Sequence, residues 1–200
     1  MKERPIIFSG PMVRAILEGR KAQTRRVVKP QRKNMVYDLS GAWVDPGGTI
    51  WGPGPYLKVP VRHVDDTFDD GIIDRVFCPY GPVGTRLWAR ETHYVERAGH
   101  DGETGFILYK ASEPDMIVSR WRPSIHMPRW ASRITLEVTD VRVERLLEIN
   151  DGDAVAEGIS VVSSHSPRAS FLSLWDDING RRGFPSTSNP WVWIVRFQVV

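Results

Sequence analysis

The chain has one cysteine, Cys78, and its five histidines, His63, His93, His100, His126 and His165, show no paired spacing. A lone thiol cannot close an internal disulfide or begin a cysteine cluster, and scattered histidines do not make a zinc site. No metal and no cofactor is expected. The acidic run Asp65, Asp66, Asp69 and Asp70 lacks the ordered ligand loop and closing glutamate of a hard-cation site, so it reads as a solvated face. A glycine-rich phosphate cradle is missing too, because the glycines near Gly47 and Gly52 are interleaved with proline and follow neither Walker nor dinucleotide spacing. No apolar run approaches the ~20 residues that cross a bilayer. The N-terminus lacks the basic start and apolar stretch of a secretory signal. The expectation is a cytoplasmic protein with no membrane partner.

Lysine is scarce. Six lysines stand against 21 arginines, in a chain with a formal net charge of only +3. Arginine stacks on flat rings and pairs bidentately with phosphate or carboxylate, which suits a nucleotide or nucleic-acid partner; arginine-rich coding yields the same ratio. Eight tryptophans suit base stacking, and equally the filling of a core.

Two hundred residues with 41% hydrophobic content support one core, hence a single domain over residues 1–200. Its opening reads as strand, helix, strand: Ile6 to Phe8 is apolar, Ser9 can cap a helix with Pro11 in its first turn, and Gly19 stops it. The segment from about residue 34 to 82 is dense in glycine, proline and acid and reads as a long insertion with a hairpin or two. LWARETHYV alternates as one strand, with Leu87, Ala89, Glu91, His93 and Val95 on one face and Trp88, Arg90, Thr92 and Tyr94 on the other. GFILYKA, RITLEVTDVRVERL and WVWIVRFQVV are further strands. Short helices are predicted around Asp153 to Glu157, stopping at Gly158, and around Phe171 to Ile178. The fold class expected is α+β, mainly β: a small barrel with a few peripheral helices.

Chemistry concentrates in EGRKAQTRRVVKP, residues 18–30. If Lys21 and Thr24 converge in the turn after the first helix, they offer a hydroxyl nucleophile beside an amine able to take its proton. That needs a neutral lysine, favoured by burial or by Arg25 and Arg26 nearby, and opposed by a carboxylate. On spacing alone, exposed strand and turn residues account for the pair as well. A second region is the proline-bounded loop RPSIHMPRWASR, where Ser124, His126, Arg129 and Trp130 mix donors, a ring and a cation suited to holding a base. The competing reading has Trp130 plugging one end of the barrel while Arg129 is solvated.

The pattern Gly19-x-Lys21-x-x-Thr24-x-Arg26 after PIIFSGPMVRAILEG resembles the signature of the ASCH domain, the activating-signal-cointegrator homology family. GTRLWARETHYV, PSIHMPRWASRITLEV, AVAEGI, FLSLWDDING and NPWVWIVRF follow in the order seen in ASCH proteins of phages and prophages. The resemblance implies a PUA-like β-barrel and two kinds of activity. One branch binds RNA. A bacterial branch of much more compact proteins resembles amidohydrolases that remove acyl groups from the exocyclic nitrogen of N4-acetylcytidine, using the motif's lysine and threonine with a glutamate from the barrel. Carried over, these are Lys21, Thr24 and Glu91, with Arg26 and Trp88 beside them to hold substrate. Either Thr24 attacks the acyl carbonyl with Lys21 as base, or Glu91 activates water while Lys21 stabilises the oxyanion. The implied partner is a modified cytosine base or nucleoside, with RNA binding or, less favoured, ribonuclease activity as alternatives.

Overall fold

The computed structural model describes residues 3–29, 31, 77–96, 105–161 and 166–200, and the backbone alone of 36–38, 43–44, 50–51, 56–62, 68–76, 97–98 and 103–104. Strand β1 (Glu3–Ile7) leads into helix α1 (Gly10–Leu17), with Ser9 at the N-cap position, proline in the first turn and Val13, Ala15 and Ile16 buried. Strand β2 (Gln23–Val27) follows. Within the insertion, β3 (Val36–Asp38) pairs with β6 (Tyr56–Arg62), β4 (Trp43–Val44) with β5 (Ile50–Trp51), and β6 with β7 (Phe68–Phe77), all antiparallel. These pairings agree with the hairpins expected there. Of the acidic run, Asp65 and Asp66 lie outside the described residues, as do the side chains of Asp69 and Asp70 in β7 and those of Trp43, Trp51 and Tyr56.

Strands β8 (Arg86–Arg90), β9 (His93–Ala98), β10 (Glu103–Tyr109) and β11 (Thr135–Arg145), helices α2 (Asp151–Ala156) and α3 (Pro167–Asn179), and strand β12 (Trp191–Val199) complete the order. LWARETHYV is therefore two strands. At Glu91 the ladder partners run out: its N–H goes to the Met127 sulfur, and His93 pairs with Arg122 of the loop. The chain thereby leaves the main sheet and pairs with β10. The burial alternation still holds through the break, with Leu87, Ala89, Glu91 and His93 all buried. Helix α3 starts four residues earlier than the apolar periodicity indicates, because Ser166 accepts a hydrogen bond from the Ala169 N–H and Pro167 opens the first turn.

The main sheet runs β1-β8-β11-β12-β2, with β1 and β8 parallel and the other pairs antiparallel. β12 lies beside the edge strand and explains the WVWIVRF run: Trp193, Val195 and Phe197 fill one core with Ile6, Phe8, Leu87 and Leu136, while Val192 and Ile194 fill a second with Leu146, Phe171 and Trp175. A strand covered on both faces has no solvated side to mark with polar residues. No ladder joins the two edge strands, yet they meet: Arg26 of β2 donates through Nη2 to the Ile7 carbonyl of β1 at 2.6 Å. The architecture is α+β and mainly β. No helix among the described residues is long and apolar enough to cross a membrane.

Cys78 is buried in the main core, and desolvation pushes its thiol up to about 11. Only the thiolate alkylates. In the native protein at pH 8, iodoacetamide should therefore label Cys78 far more slowly than in denaturant, as followed by intact mass; equal rates would contradict this packing.

Candidate functional site

Two turns place Lys21. Gly19 adopts φ 72 just past α1, and the reversed chain lets the Arg20 and Lys21 N–H groups both donate to the Ala15 carbonyl. Gly158, at φ 92, closes α2 against the same spot; a Cβ there would sit 3.0 Å from the Ala15 Cβ and 3.1 Å from the Lys21 Cβ. The backbones of Lys21 and Glu157 pair as an antiparallel bridge. Lys21 is thus 3% exposed, with Nζ donating to the Glu157 carbonyl at 2.7 Å and to its Oε2 at 3.0 Å.

The contact continues along β2. Lys21, Gln23 and Arg25 alternate onto one side, while α2 presents Asp153 and Glu157 four apart on one helical face. Gln23 Nε2 donates to Asp153 Oδ1 at 3.2 Å; Arg25 donates to Glu157 Oε1 at 3.3 Å and to Asp153 Oδ2 at 3.1 Å. Glu144 approaches the same guanidinium at 3.5 Å and is itself held by Arg142 at 2.6 Å. Asn150 caps α2 by accepting from the Asp153 N–H. Burial lowers the Lys21 pKa below the ordinary 10.5; Glu157 pulls it back up, and Arg26 and Arg25 reinforce the fall. For Asp153, burial acts upward but is outweighed by Arg25, Gln23 and Arg142, leaving the carboxyl below its usual range.

Along the open edge of β2 lies a cavity of about 220 Å³. Thr24, Arg25, Arg26 and Glu157 line it on the strand side, and Met12, Tyr80, Phe171 and Trp175 form apolar and aromatic walls. Thr24 is buried, and its hydroxyl makes no hydrogen bond among the described residues. Lys21 and Arg26 both lie over the Phe8 ring, at 5.9 and 5.4 Å. The site thus brings a free hydroxyl, a carboxylate and, behind the carboxylate, an amine of depressed pKa to one edge.

Glu91 is elsewhere. It is 1% exposed, neither a surface carboxylate nor a partner of Arg90 or Arg26; Arg133 grips it bidentately, Nε to Oε1 at 2.9 Å and Nη2 to Oε2 at 3.0 Å. The Arg133 guanidinium stacks on Tyr109 at 4.0 Å, and the Tyr109 hydroxyl donates to the Ala131 carbonyl. Glu91 thereby fastens the 122–133 loop to the sheet. Among the described residues no hydrogen bond joins it to Lys21 or Thr24. The carboxylate at Lys21 is Glu157. Its signal was present in the sequence, as a D-x-x-x-E pair ahead of Gly158 facing an alternating K-x-Q-x-R strand.

The other expected binding residues are spread out. Trp88 sits on the sheet face opposite Glu91, with Arg90 at 5.4 Å over its ring. Arg129 is solvent-exposed, as the competing reading had it, but not free: Glu3 holds it at 2.5 and 3.1 Å. Trp130 is 61% exposed and plugs nothing; Met127 and Ala131 are the buried residues of that loop. Ser124 opens a short helical turn there, and His126 lines a second cavity of about 550 Å³ with Tyr94, Ser119, Arg120 and Arg122. Of the six, only Arg26 lines the first cavity. Among the described residues no group of three or more histidine, cysteine or acidic side chains is placed to hold a metal ion. Comparison of the chain with family models, curated proteins and solved structures finds no match.

Arg25, its side chain wholly buried, answers both Glu157 and Asp153. Arg25→Ala leaves two carboxylates without their shared cation and should cost about 3–5 kcal/mol in chemical denaturation. A loss under 1 kcal/mol would mean that the network is not structural.

Proposed function

We propose that the chain is an ASCH-type amidohydrolase on a PUA-like barrel, removing acyl groups from the exocyclic amine of N4-acylated cytosine or cytidine. The observation that carries this reading is the unbonded Thr24 hydroxyl lining a cavity with Glu157, whose carboxylate is bonded to buried Lys21. The edge-to-edge contact between Arg26 and Ile7 supports a sheet curled toward a barrel. Tyr80, Phe171 and Trp175 supply flat walls for a pyrimidine.

Nζ of Lys21 gives two hydrogen bonds to Glu157. A neutral amine has two N–H donors and one lone pair, so both donors are used and the lone pair is left to accept a proton. In the favoured route, which requires the Lys21 amine to reach Thr24 round the open edge of β2, Thr24 Oγ1 bonds to the acyl carbonyl carbon as its proton passes to Lys21. The C–N4 bond then breaks, with that proton going to the cytosine amine, and water hydrolyses the Thr24 ester. Glu157 faces the same cavity, which supports a second route in which it takes a proton from attacking water and Lys21 steadies the oxyanion. Both Glu157 oxygens already accept, from the Lys21 amine and the Arg25 guanidinium, which leaves them poorly placed to ligate a metal, so the proposed reaction is metal-independent.

Cytidine release from N4-acetylcytidine tests this. Thr24→Ala should lower kcat/KM by about a thousandfold, within the range for removing an essential nucleophile or proton-transfer partner, and excess EDTA should change nothing. The free Lys21 amine is the active form, so activity should be lost as pH falls through its folded pKa and level off above it, at a pH below 10.5. Absence of turnover, with RNA bound in a steeply salt-dependent way, would favour a binding module instead.

A further inference from the structure

The cavity is more cationic than an uncharged nucleoside requires. Arg25, Arg26, Lys29 and Arg182 line it against one carboxylate, Glu157. That carboxylate is already answered by Lys21 and Arg25. Arg26, Lys29 and Arg182 have no carboxylate within ion-pair distance among the described residues. Arg26 spends one donor on the Ile7 carbonyl, and its Nε is buried without a partner. Lys29 lies 5.7 Å over the Phe184 ring, and Arg182 follows α3 on the same wall as Asn179. The aromatic walls and Thr24 share one cavity with these exposed cations beyond the strand.

Resting on the reading of this cavity as the substrate site, we propose that its ligand is a cytidine nucleotide, with Lys29 and Arg182 holding the phosphate while the pyrimidine lies between Tyr80 and the α3 aromatics. A cavity of about 220 Å³ suits one nucleotide better than a length of polynucleotide. Two unpaired, exposed cations beside a ring slot give a phosphate charge-assisted bonds that the nucleoside cannot make.

Calorimetric titration with CMP and with cytidine, neither of which is turned over, tests the proposal. CMP should bind at least about tenfold tighter at low salt, the factor expected from one good charge-assisted bond, and the advantage should shrink as salt rises. The double variant Lys29→Ala, Arg182→Ala should abolish the advantage, whereas Lys29→Arg should retain it. An oligocytidylate should bind no tighter than CMP; tighter binding with a steeper salt slope would replace the mononucleotide by a polynucleotide and overturn the proposal. Equal affinity for CMP and cytidine, or an advantage that survives the double variant, would also overturn it. The two readings fail separately. If N4-acetylcytidine and its 5′-monophosphate are cleaved with equal kcat/KM, the nucleotide is wrong and the amidohydrolase stands. If CMP shows its advantage and neither acetylated compound is cleaved, the nucleotide site stands without that activity.

Discussion

The contact between β2 and α2 is made of charge rather than oil, and the site depends on it. Lys21 and Arg25 bring a buried amine and a buried guanidinium to Glu157 and Asp153, and all four side chains give up most of their water. Desolvating such groups costs several kcal/mol each, and apolar residues of similar volume would often hold the edge strand as well or better. An apolar seam would lack a lysine whose pKa is lowered by burial while its donors are fixed on a carboxylate. The same seam orients the edge strand so that Thr24 lines the cavity beside Glu157.

Much of the fold was legible. The 3.6-residue pattern of α1, its stop at Gly19, the long β11 and the doubly apolar β12 all follow from local patterning. The break after Arg90 was not legible, because burial continues through Glu91 and His93 while the hydrogen-bond partners change. Alternation reports which side faces the core; it does not report which backbone lies alongside. The early start of α3 was missed for a simpler reason: its first turn is fixed by a serine cap and a proline, ahead of the apolar stripe.

Lys21 and Thr24 were legible as candidates; the structure adds that both are buried and that Thr24 lines a cavity. Glu91 was expected from the resemblance, as a glutamate ending a barrel strand, and among the described residues no bond joins it to Lys21 or Thr24. Its burial is instead explained by Arg133, some forty residues away in sequence, a long-range pairing that no spacing rule reports. Glu157 caps the short helix expected before Gly158, but was not singled out there as a candidate. Arg129 and Trp130, attractive as a cation beside a ring, are separated in role: one is tied to Glu3 and the other stands in solvent.

The two glutamates offer the most direct test of the central claim, that Lys21, Thr24 and Glu157 form the working unit. Glu157→Gln and Glu91→Gln both keep shape and remove a charge, so cytidine release from N4-acetylcytidine can be compared at equal folded fraction, checked by circular dichroism. The account predicts that Glu157→Gln loses activity by about two powers of ten or more, the usual scale for removing a proton-transfer group, while Glu91→Gln keeps most of it. Loss with Glu91→Gln and retention with Glu157→Gln would contradict it.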